Sequence, residues 1–160
     1  MRDSDGAMLF RDEVTKPGIS RDAKQEFDAE IYCDGSSLGN PGHGGIGVVA
    51  RLLNKPCKDI AISEYIGIVT NNVAEYSALI RGIREARALG VKRIAVFLDS
   101  ELLVKQLKGV YRVKSSMLKP LWEDARTLLR QFDYYTITHV RREFNKEADF
   151  LAKKAAERTS

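Results

Sequence analysis

Four carboxylates stand in four unusual local sequences. Asp34 lies in Tyr32-Cys33-Asp34-Gly35-Ser36, and Glu75 closes Thr70-Asn71-Asn72-Val73-Ala74-Glu75. Asp99 follows Val96-Phe97-Leu98, and Asp149 closes Asn145-Lys146-Glu147-Ala148-Asp149. Singly, each has a plain structural use: Asp before Gly forms turns, an acid in a first helical turn complements the helix dipole, and Asp99-Ser100 can cap a helix. Gathered in one fold, the four would repel one another strongly unless cations sat between them. An all-oxygen donor set suits a hard divalent ion, and that points to phosphate chemistry.

The elements that must position these acids follow from the pattern. Ala29 to Asp34 alternates as a strand, with Tyr32 and Asp34 on one face and Ile31 and Cys33 on the other. Leu38 to Gly45 carries four glycines and a proline and reads as a turn cluster. Ile46–Leu53 and Asp59–Ile68 are the second and third strands, joined by Asn54-Lys55-Pro56. These short links favour an antiparallel meander. The period then changes. Val73, Tyr76, Leu79, Ile80, Ile83, Ala86 and Leu89 recur at helical spacing, with Asn71 or Asn72 as cap and Gly90 as stop. Arg93 to Asp99 is a buried strand, Ser100 caps a short helix, and Met117 to Phe132 is a longer one with Trp122 among its core leucines. Tyr134 to Val140 is the last strand, and Asn145 caps a closing helix. The order β-β-β-α-β-α-α-β-α describes an α/β fold, a mixed five-stranded sheet with helices on its faces. A right-handed crossover places Asp99 beside Asp34 at one sheet edge.

The 160 residues suffice for one domain with its own core. Net charge is +4 and pI about 9.1, which suits nucleic acid without demanding it. Residues 1–27 hold five basic and six acidic side chains, leaving 21 and 16 for residues 28–160. The basic part is therefore the folded part, and residues 1–27, broken by Pro17-Gly18, are expected to be a flexible tail. Cys33 and Cys57 show no zinc-ligand spacing. With no apolar targeting or membrane-spanning run, the expected setting is the cytosol, with reduced thiols.

The chain resembles the type 1 ribonuclease H family from about Ala29 to Ala156. The anchors are Asp34-Gly35-Ser36 with Asn40-Pro41-Gly42, Thr70-Asn71-Asn72 with Glu75, Leu98-Asp99-Ser100, and Asn145 to Asp149 with Leu151-Ala152. The resemblance implies an RNase H-like fold and an enzyme, acting as a monomer, that cuts the RNA strand of an RNA–DNA hybrid. It implies two Mg²⁺ or Mn²⁺ ions held by Asp34, Glu75, Asp99 and Asp149, with Asp34 shared, and products ending in 5′-phosphate and 3′-hydroxyl. It further implies that Ser37, Asn40, Asn71 and Asn72 meet 2′-hydroxyls in the minor groove, which mark RNA. Thr70 and Ser100 are candidate contacts to the nucleic-acid backbone.

Two departures from the family pattern stand out. The stretch His139-Val140-Arg141-Arg142-Glu143-Phe144-Asn145 is too short for the mobile histidine loop of many members. His139 is thus expected to be structural, with Arg141 or Arg142 near the phosphate, as in the shorter archaeal-like and plant-like members. The basic protrusion is also missing. Gly109 to Ser116 stands in its place, leaving Arg112 and Lys114 to grip phosphates. The alternatives are a nuclease of related fold that also cuts double-stranded RNA, and a binding module that has lost catalysis. The four intact carboxylates weigh against the second.

Overall fold

The structure, a computed structural model, describes residues 10–14, 27–53 and 59–158. Its sheet has six strands: β1 (Phe10–Val14), β2 (Ala29–Gly39), β3 (Gly42–Leu52), β4 (Ile60–Val69), β5 (Arg93–Leu98) and β6 (Tyr134–His139). They lie in the order β1-β6-β5-β2-β3-β4. The pairs β2–β5 and β5–β6 are parallel and the others antiparallel. The five expected strands are all present, so the mixed sheet stands.

A sixth strand, β1, adds to these five at the β6 edge and comes from the stretch expected to be a tail. It pairs with β6 from Phe10↔His139 to Val14↔Tyr135. Its own pattern is weak, with three charged residues between Phe10 and Val14. What the sequence pattern does not display is the partner: without β1, the edge of β6 would present a row of unpaired N–H and C=O groups. The rest of the expected tail, residues 1–9 and 15–26, lies outside the described residues, as do the Asn54–Pro56 turn and Cys57.

Helix α1 (Asn71–Ala88) covers one face of β2 and β3, with α3 (Lys119–Leu129) against it. Between them lies the main core, including Ile31, Cys33, Val48, Leu79, Ile83, Val96 and Leu129. Burial raises the pKa of the Cys33 thiol strongly, so Cys33 behaves as a small apolar residue. Trp122 is half-buried against this core, and its indole N–H donates to the Gln106 carbonyl at 2.9 Å. Short α2 (Glu101–Leu107) follows β5 and is tied to α1 by the Tyr76 hydroxyl, which donates to Gln106 Oε1 at 2.7 Å. On the other sheet face, α4 (Lys146–Ala156) lies across β3, β2 and β4.

Two glycines set how closely these helices approach. A Cβ at Gly35 would lie 2.2 Å from the Ala74 carbonyl carbon and 2.3 Å from the Glu75 nitrogen. A Cβ at Gly47 would lie 2.0 Å from the Ala148 oxygen. Only glycine allows backbone this near, so α1 rests on β2 and α4 on β3, beside Asp34 and its cross-strand partner Gly47. This also explains why the glycine-rich run is mostly strand. β2 continues through Gly39 and β3 starts at Gly42, leaving only Asn40-Pro41, joined by a cis bond, as the turn.

Candidate active site

Asp34 is buried in the middle of the sheet, on β2. The parallel register Cys33↔Leu98 sets Asp99, the residue after β5, beside it. Glu75 enters from the opposite helix layer, in the second turn of α1 rather than its first. Asp34, Glu75 and Asp99 each offer an oxygen, and the three lie within 4.8 Å of one another. Asp149 comes from the first turn of α4 and reaches hydrogen-bonding contact with Asp34, which two carboxyls make only by sharing a proton.

The cluster is electrostatically costly without a counter-ion. Burial, then the charge of Asp99, the contact with Asp149 and the charge of Glu75 hold the Asp34 pKa far above the carboxylate range. Burial raises Glu75 to about 7 despite a hydrogen bond from Ser100. Asp99 is raised, again chiefly by burial. Asp149 alone is lowered: its desolvation is outweighed by the Asp34 contact, Lys153 Nζ at 3.1 Å and Arg142 Nη2 at 3.6 Å. Asp149 Oδ1 is also buried and accepts no hydrogen bond within the protein. Oxygen-only donors, mutual repulsion and a buried Asp149 oxygen met only by the Arg142 guanidinium at 3.6 Å among the described residues together fit a hard divalent cation.

The surrounding side chains divide by task. Thr70, not Asn71 or Asn72, caps α1, its Oγ1 accepting from the Val73 N–H at 3.3 Å. Both asparagines thus stand in the first turn. Asn40 Oδ1 accepts from the Asn71 N–H at 3.0 Å, which fastens the β2–β3 turn to α1. Ser37, on β2, is half-buried beside this turn. Ser100 caps α2, its Oγ accepting from the Leu103 N–H at 3.2 Å, and also holds Glu75, a task that sequence reading did not give it.

His139 ends β6 next to Leu98. Arg142 faces Asp149, whereas Arg141 pairs with Glu143 at 3.3 Å. Arg112 and Lys114 are exposed in the link between α2 and α3. Asn145, read from sequence as a helix cap, makes no side-chain capping bond. It is instead buried against the carboxylates. The four-residue spacing from Asn145 to Asp149 is the signal that places it one helical turn from a site residue.

A reverse transcriptase-like family model matches residues 32–155, which include all four carboxylates. Ribonuclease HI of Halobacterium salinarum is 41% identical over 78% of this chain and 62% of that protein. The chain belongs to the type 1 ribonuclease H family. Within it, the bifunctional protein Rv2228c of Mycobacterium tuberculosis is 40% identical over 78% of this chain but only 34% of its own length. The chain thus spans about a third of that relative. The solved complex of LC11-RNase H1 with an RNA/DNA hybrid is 38% identical, covers 81% of this chain and 96% of that one, and superposes with a TM-score of 0.72. Among the described residues, no helix is long and apolar enough to cross a membrane.

Proposed function

We propose that the chain is an endoribonuclease that hydrolyses the RNA strand of RNA–DNA hybrids, leaving 5′-phosphate and 3′-hydroxyl ends, as a monomer in the cytosol. The observation that carries this reading is the meeting of Asp34, Glu75 and Asp99 within 4.8 Å, with Asp149 joined to them through Asp34. The hybrid bound to LC11-RNase H1 supports the choice of substrate.

Asp34, Glu75, Asp99 and Asp149 would hold two Mg²⁺ or Mn²⁺ ions. Bound there, such ions supply a water of lowered pKa and stabilise the leaving oxygen. The chain's own groups do the rest. The sheet fixes Asp34 and Asp99, Ser100 orients Glu75, and Arg142 sets a positive charge beside the site where the phosphate would lie. The Asn40–Asn71 link presents the turn and the start of α1 as one surface for the minor groove, with Ser37 and Asn72 beside it. Thr70 would donate to a backbone phosphate, and Arg112 and Lys114 would contact phosphates farther out.

The test is cleavage of labelled hybrid, double-stranded RNA and double-stranded DNA with Mg²⁺ or Mn²⁺, and with EDTA. Cutting of the hybrid alone, abolished by EDTA, is expected. Equal cutting of double-stranded DNA, or no cutting of hybrid, would overturn the reading.

A further inference from the structure

Asn145 is 2% exposed and binds three parts of the site at once. Its Nδ2 donates to the Cys33 carbonyl at 2.9 Å and to Asp99 Oδ2 at 3.1 Å. Its own carbonyl accepts from the Asp149 N–H at 3.0 Å. One residue therefore touches the backbone immediately before Asp34, the carboxylate of Asp99 and the backbone of Asp149. The amide orientation follows from its partners: a flipped amide would press its oxygen against a carbonyl and a carboxylate, both acceptors.

The arrangement has a cost that a simple cap would not carry. An Asn at a helix start ordinarily turns its side-chain oxygen onto the N–H groups of the first turn. Here that oxygen is buried and unpartnered, and the helix start has no side-chain cap. A buried acceptor left unsatisfied is costly. The side chain is committed instead to the two contacts made by its NH₂ group. Of these, the bond to Asp99 occupies Oδ2 and restrains the carboxylate's rotation.

Resting on the reading of the cluster as a divalent-cation site, we propose that Asn145 is a positioning residue. It fixes the rotation of the Asp99 carboxylate through the bond to Oδ2, and it sets the start of α4, and with it Asp149, against β2. Groups that hold a ligand in this way typically matter by 10–100-fold in metal affinity.

The experiment is calorimetric titration of Mn²⁺ into the full chain without nucleic acid, for wild type, Asn145→Ala and Asn145→Ser. Anisotropy of labelled hybrid in EDTA and thermal melting are measured in parallel. Serine restores a good helix cap but is too short to span to Asp99, so Asn145→Ser keeps the test open if Asn145→Ala fails to fold. A roughly tenfold or greater loss of Mn²⁺ affinity in a folded variant, with hybrid binding in EDTA unchanged, is the expected result. Unchanged Mn²⁺ affinity in either folded variant overturns the proposal, as does an equal loss of hybrid binding, which would mark a general structural role. Wild-type protein that binds no Mn²⁺ would instead overturn the cation site itself.

Discussion

The carboxylate cluster has two corners that share a carboxyl contact but solve the same electrostatic problem differently. In one, Asp34, Glu75 and Asp99 crowd together, and all three pKa values are raised, chiefly by burial. In the other, Asp149 has Lys153 and Arg142 beside it, and its pKa is lowered. The first corner has been left short of positive charge by the fold. The second is largely neutralised by its own chain. A cation arriving from solvent therefore gains most from the first corner, and the second serves to hold a charge ready at the edge.

The largest effect expected from this contrast is the loss of a ligand in the crowded corner. Asp99→Asn keeps the shape and removes the charge, so single-turnover cleavage should fall by about a thousandfold or more. Anisotropy should show hybrid binding in EDTA retained, because the turn and the start of α1 are untouched. Cleavage near the wild-type rate would dissolve the distinction between the corners.

The crowded corner also dictates how stability without metal depends on pH. Glu75 ordinarily titrates at 4.5 and is raised to about 7 in the fold. Between those values the folded chain binds more protons than the unfolded chain, so stability falls as pH rises. The contribution is whole below about 4.5 and gone above about 7. Asp34, raised from 3.8 to about 9, carries the same fall on above pH 7, so thermal melts in EDTA should decline through both windows, and Mn²⁺ should flatten the course by replacing the protons. A melting temperature that rises through either window in EDTA would contradict the raised pKa.

The same logic gives two asparagine substitutions opposite signs. Asp34→Asn removes a buried carboxyl that the fold must hold protonated far above its ordinary range, so the metal-free protein should become more stable. Asp149→Asn removes an attraction to Lys153 and Arg142, so the metal-free protein should lose roughly 0.5–1 kcal/mol. Chemical denaturation in EDTA reads both. Shifts of the same sign would show that the two corners are one environment.

The carboxylates themselves were legible in the sequence because each stands in a distinctive run, and the periodicities around them were strong enough to order the elements. The parallel register that joins Asp34 to Asp99 also follows from the meander and crossover. Other features were hidden for physical reasons. β1 is specified by the open edge of β6 more than by its own residues. Gly35 read as part of a turn and Gly47 as an ordinary strand residue, because a sequence does not display the helix backbone pressed against them. Asn145 looks like a cap until the distance to Asp99 is known. Ser100 was read toward substrate, yet it holds Glu75 as well. In each case the missing information is a contact between elements far apart in the chain.

The finest test of the contrast lies in the two arginines that follow β6, Arg141 and Arg142. Arg142 is paired with Asp149 and adds positive potential at Asp99 and Glu75. Arg141 is occupied by Glu143. The Arg142 side chain is 73% exposed, so water and salt screen it, and an exposed pair is worth about 1 kcal/mol at most. Arg142→Ala should therefore slow cleavage by about fivefold at low salt and by less as ionic strength rises and the Debye length shortens. Arg141→Ala should leave the rate unchanged at every salt concentration. If the two variants behave alike, Asp149 owes its low pKa to Lys153 and Asp34, and the charge at the edge of the site belongs to α4 rather than to the shortened loop.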